Sequence, residues 1–173
     1  LMIGDEVRDK DAVSAVVMIC EMAAYEKNKG RSLFDKLTDL YVQYGFYKEN
    51  LVSITKKGMD GATQIAAMME TYRNNPPQKI DGVAVAKLLD YELQQGTNLA
   101  DGSLFKIDLP KSNVLQFLLA DGTKISARPS GTEPKIKFYF SVNTPLANAD
   151  AFDVTEKKLD EKIARIIIEM GLK

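Results

Sequence analysis

Two β-rich runs, residues 114–119 and 123–127, flank Ala120-Asp121-Gly122, and this constrains the chain more than any other stretch. Asp-Gly is a strong signal for a tight hairpin turn, so the two runs are predicted to pair antiparallel. The second run leads into Arg128. After Pro134 the sequence alternates, with Ile136, Phe138 and Phe140 on one side and Lys135, Lys137 and Tyr139 on the other. That period of two, with one apolar side, predicts a half-buried strand. A helix over about 149–170 carries Phe152, Leu159, Ile163, Ile166, Ile167 and Met170 as a stripe and stops at Gly171, so it can cover one face of the resulting antiparallel sheet.

Upstream, the pattern is mainly helical. Asp9 or Asp11 can cap a helix running to about Lys29, with Lys27 and Lys29 favourable at its negative end and Gly30 as the stop. Val13, Val16, Val17, Ile19, Cys20, Met22 and Ala23 cover nearly its whole circumference, which predicts burial on several sides, with Cys20 an inert buried thiol. Ser32 and Asp35 form a capping-box pattern for an amphipathic helix ending at Gly45. Residues 51–55 are β-prone, and Asp60 or Gly61 opens a helix with Ile65, Met68, Met69 and Tyr72 on one stripe. Asn74-Asn75-Pro76-Pro77 has too many breakers to continue it and is the best candidate linker. Residues 79–91 suit a strand, or a strand followed by a helical turn, and 96–102 read as a loop. The expected fold is a mix of α/β and α+β. Residues 1–75 form a helix-rich remnant of an α/β domain, and residues 76–173 a small α+β domain whose antiparallel sheet is covered by helices.

Composition narrows the function. A net charge of −1 and a pI near 5.6 give no basic excess for nucleic acid or an anionic membrane, so any anion site must be local. The absence of histidine removes Ser-His and Cys-His dyads and histidine metal sites from this chain, leaving carboxylate, lysine or tyrosine for proton transfer. A single cysteine excludes an intrachain disulfide and fits a reducing, cytoplasmic compartment. The apolar run over 12–24 is interrupted by Ser14 and Glu21 and is too short to span a bilayer, and the charged opening does not read as a signal peptide. Leu1 is not an initiator, so the chain is expected to be a piece of a longer protein.

The densest chemistry is Arg128-Pro129-Ser130-Gly131-Thr132-Glu133-Pro134-Lys135-Ile136-Lys137. Arg128 precedes proline, so it should project its guanidinium from extended backbone. Ser130 and Thr132 add hydroxyls, and Gly131 permits a positive φ that can turn successive amides toward one anion. Lys137 adds a second cation. The same residues also suit an ordinary polar loop beside a solvated strand face. A second charged cluster, Gly4-Asp5-Glu6-Val7-Arg8-Asp9-Lys10-Asp11, reads as a solvated helix start and lacks the spacing and central glycine of a calcium loop.

The run from Arg128 to Tyr139 resembles the phosphate-binding loop of the C-terminal domain of the α-D-phosphohexomutases, the phosphoglucomutase and phosphomannomutase family. The phrase Arg8-Asp9-Lys10-Asp11-Ala12 resembles the segment after that family's sugar-recognition loop, which makes Lys10 a cleft candidate and Arg8 a weaker one. The resemblance implies an intramolecular phosphotransfer between the two ends of a hexose phosphate, through a phosphoserine and a bisphosphorylated sugar. Arg128, Ser130, Gly131, Thr132 and Lys137 would hold the non-reacting phosphate. It also implies a Mg2+ ion in the complete enzyme. The phosphorylatable serine, the Asp-Gly-Asp-Gly-Asp metal loop and the sugar-selecting loop are not in this sequence, so this chain alone is expected to be inactive and to depend on missing N-terminal domains. Phosphopentomutase activity in the same family, a non-catalytic phosphate- or partner-binding module, and a purely structural domain are the alternatives.

Overall fold

The computed structural model describes residues 9–56, 58 and 60–172. Arg8 and the acidic residues before it lie outside the described residues. Contacts divide the chain into two units, Leu1–Gly45 with Pro145–Phe152, and Phe46–Thr144 with Asp153–Lys173.

The first unit contains helices α1 (Ala12–Asn28) and α2 (Leu33–Tyr44) and a 3-10 turn, Ala149–Ala151. Asp11 caps α1, its carboxylate accepting from the Ser14 amide at 2.9 Å. The capping box forms as expected on α2: Ser32 N–H donates to Asp35 at 2.7 Å, and Asp35 N–H donates to Ser32 Oγ at 3.1 Å. Phe34 and Tyr41 of α2 meet Phe152, with ring centroids 4.9 and 6.2 Å away. The expectation that α1 is buried on several sides is corrected. Val13, Val16, Val17, Ile19 and Met22 are exposed, Val13 at 77%, and Cys20 is exposed with them. Among the described residues of this unit α2 is the helix that packs on α1, and one neighbour cannot cover an apolar surface running round the whole helix.

The second unit is an antiparallel sheet in the strand order β1-β8-β7-β6-β3-β4-β5. Its strands are β1 (Phe46–Thr55), β3 (Val83–Asp90), β4 (Gln95–Asn98), β5 (Leu104–Lys106), β6 (Leu115–Leu119), β7 (Lys124–Pro129) and β8 (Lys135–Thr144), while β2 (Lys79–Ile80) pairs with β3 alone. The β6–β7 hairpin matches the sequence reading, with Phe117 opposite Ile125 and Leu115 opposite Ala127. Gly122, at φ 85°, is the positive-φ residue of its turn, whereas a type I′ turn would need Asp121 there too. Ile136, Phe138, Phe140 and Val142 of β8 are fully or almost fully buried, together with Ile125, Ala127, Leu115 and Phe117 on the same face.

Two helices cover that face. α3 (Gly61–Asn74) sets Tyr72 edge-on against Phe117 and Phe138, with ring centroids at 5.7 and 6.1 Å. α4 (Phe152–Glu169) buries Leu159, Ile163 and Ile166, the stripe anticipated for it. Lys162 on α4 donates to Thr123 Oγ1 at 2.7 Å and to Asp121, and Lys48 on β1 reaches Glu156 of α4 at 2.7 Å. The opposite face carries the polar alternates.

The strand reading of residues 79–91 is the one observed, but the loop expected over 96–102 begins inside a strand. Gly96 stands opposite Phe105, and a Cβ on it would lie 2.2 Å from that ring, so the glycine there serves close approach. Asn74 to Pro77 lies within the second unit and links α3 to β2. It is spanned by Arg73, whose Nε donates to Asp90 at 2.6 Å and whose Nη2 donates to Glu92 at 3.0 Å. Among the described residues, no helix is long and apolar enough to cross a membrane.

Candidate functional site

The end of β7 and the start of β8 hold the loop at 130–134 between them. Arg128 pairs with Lys137, and Pro129 with Ile136, across the two strands. Closure comes from the Ser130 amide donating to Lys135 O at 2.8 Å. Ser130 Oγ then accepts from the amides of Thr132 and Glu133 at 3.4 and 3.3 Å, which curls the loop back on itself. From below, Lys56 N–H donates to Pro134 O at 2.9 Å. Gly61, at the first turn of α3, lies so close that a Cβ would sit 2.5 Å from Lys56 O and 3.1 Å from Pro134 Cβ.

This framing produces a cleft of about 330 Å³ lined by Arg128, Pro129, Ser130, Gly131, Thr132, Glu133, Lys135 and Lys137. The expected residues Arg128, Ser130, Gly131, Thr132 and Lys137 are therefore gathered in one place. Because side chains alternate along a strand, Arg128 and Lys137, being register partners, share the face opposite the aromatic core. Neither forms a salt bridge among the described residues, although the Lys137 charge also acts through space on the Glu133 carboxyl.

Gly131 does not behave as anticipated. Its φ is not positive, and a Cβ added to it would meet nothing within 4 Å. The turning of the amides is done instead by the Ser130 hydroxyl, and the glycine leaves the cleft wall bare. Two charged lining residues went unassigned in the sequence reading, Glu133 and Lys135. They pair at 2.7 Å, and the hydrogen bond from Lys135, followed by its charge, holds the Glu133 carboxyl below the usual range. The signal for Lys135 was its position two residues before Lys137 on the same strand face.

On the reverse side of the loop, an apolar cleft of about 230 Å³ separates Pro129 and Pro134 from Ala62, Ile65, Ala66 and Met69 of α3. Lys10 belongs to the first unit. It precedes α1 at φ 23°, is 88% exposed and pairs with Asp9 at 2.7 Å. The magnesium ion implied by the resemblance finds no group of three or more carboxylate or cysteine side chains able to hold it among the described residues.

Two cations outside any described salt bridge, Arg128 and Lys137, set beside the Ser130 and Thr132 hydroxyls at a strand junction, are suited to binding a tetrahedral oxyanion.

No family model matches the sequence. It is 41% identical over 151 residues to a protein named phosphoglucomutase from Staphylococcus aureus strain MRSA252, a match covering 87% of this chain and 26% of that protein. A phosphoglucomutase from Staphylococcus epidermidis strain RP62A is 38% identical over 157 residues, covering 91% of this chain and 28% of the relative. The chain thus spans about a quarter of the length of the curated relatives it matches. Among solved structures, parafusin from Paramecium, described as a phosphoglucomutase in its open form, superposes with a TM-score of 0.54. That likeness covers 96% of this chain and 29% of the other at 22% identity, and it speaks for the fold.

Proposed function

Because the chain belongs to the phosphoglucomutase family, we propose that its cleft at residues 128–137 binds the non-reacting phosphate of a hexose phosphate while the other end of the sugar undergoes phosphoryl transfer. The observation that carries this reading is the pairing of Arg128 with Lys137, two cations in no salt bridge among the described residues, on one strand face beside the loop that holds Ser130 and Thr132.

Each group has a distinct task. Arg128 offers a planar fork that can make two parallel bonds to phosphate oxygens, and charge-assisted bonds of this kind contribute about 1.5–3 kcal/mol each. Lys137 adds charge without fixing direction. The Ser130 and Thr132 hydroxyls and the Gly131 amide complete the shell. Held at one end, the sugar presents its other end in a limited set of orientations, which converts binding into positioning. The phosphoserine, the magnesium site and the sugar-selecting loop belong, in this reading, to the remainder of a longer protein, to which this chain contributes the C-terminal part. In this reading Lys10 is a candidate cleft residue of the complete protein. Intramolecular transfer through a bisphosphorylated sugar is the reaction served.

Titration of the full chain with glucose 6-phosphate and with inorganic phosphate, followed by amide NMR, tests the assignment. Shifts centred on residues 128–137 that vanish in Arg128→Ala are expected. Shifts elsewhere, or unchanged affinity in that variant, would overturn it.

A further inference from the structure

Resting on the phosphate reading above, we propose that Glu133 is a counter-anion built into the cleft, which holds Lys135 before ligand arrives and keeps phosphate affinity low enough for release. Glu133 is a carboxylate lining a cleft whose other charged residues, Arg128, Lys135 and Lys137, are all cationic. Its partner is Lys135 Nζ at 2.7 Å, so one of the three cations is already engaged, while Arg128 and Lys137 form no salt bridge among the described residues and Lys137 feels the carboxylate only through space. Its backbone is tied too, since the Glu133 amide donates to Ser130 Oγ at 3.3 Å and its carbonyl accepts from the Lys135 amide at 2.7 Å. The carboxylate therefore cannot leave the cleft's rim without rotating its side chain.

An anion entering this space meets the repulsion of Glu133 and must compete for Lys135. Repulsion between fixed charges scales with the charge of the ligand, so a dianionic phosphate monoester is penalised more than a monoanion of the same shape. The result is a site that recognises phosphate through Arg128 and Lys137 yet surrenders it readily, with Lys135 passing between Glu133 and the ligand. A ligand that must be bound by one end, released and bound again by the other requires such a tempered grip. Glu133 touches no reacting atom in this scheme, and its role is that of a positioning residue acting through Lys135.

The test compares methyl phosphate, a dianion at pH 8, with methyl sulfate, a tetrahedral monoanion, binding to the full chain and to Glu133→Gln and Glu133→Asp. Exposed charge pairs are weakly coupled, so Glu133→Gln is expected to tighten methyl phosphate by about two- to fivefold and methyl sulfate by a smaller factor. Glu133→Asp keeps the charge and should keep wild-type affinities. Equal gains for the two ligands, or weaker binding of methyl phosphate to Glu133→Gln, would overturn the role of Glu133 while leaving the phosphate site standing. Absence of any response to methyl phosphate at residues 128–137 in the wild-type chain would overturn both.

Discussion

Arg128 and Lys137 are direct register partners across β7 and β8. Like charges placed opposite one another on a sheet face repel, and neither cation is tied into a salt bridge among the described residues, the Glu133 carboxylate acting on Lys137 only through space. The fold therefore carries a local penalty that an anion would remove. Arg128→Gln is expected to raise the thermal midpoint of the ligand-free protein by about 1–3 °C. It should also abolish the further rise that phosphate produces in the wild type. Differential scanning calorimetry with and without phosphate reads both effects, and a lowered midpoint in the ligand-free variant would contradict the argument.

Gly61 sets how closely α3 approaches the loop. Gly61→Ala places a Cβ 2.5 Å from the Lys56 carbonyl oxygen, a backbone atom that cannot swing aside. A cost of about 1–3 kcal/mol is expected from overpacking, measured by urea unfolding. Because the same Cβ meets Pro134 at 3.1 Å, amide shifts should spread into residues 130–135, even though the substitution lies on another element.

Arg73 and Asp90 form the least exposed ion pair described, with side chains 15% and 6% exposed. Asp90 Oδ1 also accepts from the amides of Glu92 and Leu93 at 3.0 and 3.2 Å, so it organises the turn after β3 as well. Asp90→Ala removes one of the two carboxylates that hold the guanidinium and leaves two amides without their acceptor. Destabilisation by about 2–3 kcal/mol is expected in denaturant titration.

Asp35 titrates with the first unit. Amide and hydroxyl bonds from Ser32 hold its carboxyl below the ordinary aspartate value. A depressed carboxylate stabilises the fold fully above its unfolded pKa, and that contribution is lost as pH falls through the lower, folded one. Helicity of the first unit should therefore decline on acidification below the ordinary aspartate range, and Asp35→Asn should flatten that decline in circular dichroism.

The elements legible from sequence were those whose signal was local. The Ser32 and Asp35 cap, the Asp121-Gly122 hairpin and the β8 alternation depend on residues near each other in the chain, and all appear in the structure. The burial of α1 was misread because periodicity reports how apolar a helix surface is and not whether a neighbour covers it. Gly96 misled because a glycine under an aromatic ring and a glycine in a turn look alike until Phe105 is placed. At the cleft, Arg128, Ser130 and Lys137 could be read from residue chemistry. Glu133 could not, since a carboxylate among cations looks like ordinary loop polarity until its partner is known.

β8 is paired along its length with β1 on one side and over residues 136–141 with β7 on the other, and the loop closes directly onto its first residue. The ordering entropy of that backbone is therefore settled when the sheet forms, and a ligand need only restrict a few long side chains. Recognition by such a frame is nearly a solid-state event. Sequence changes in the strands far from the loop can alter the distance between Arg128 and Lys137 and so tune affinity, although they never approach the ligand.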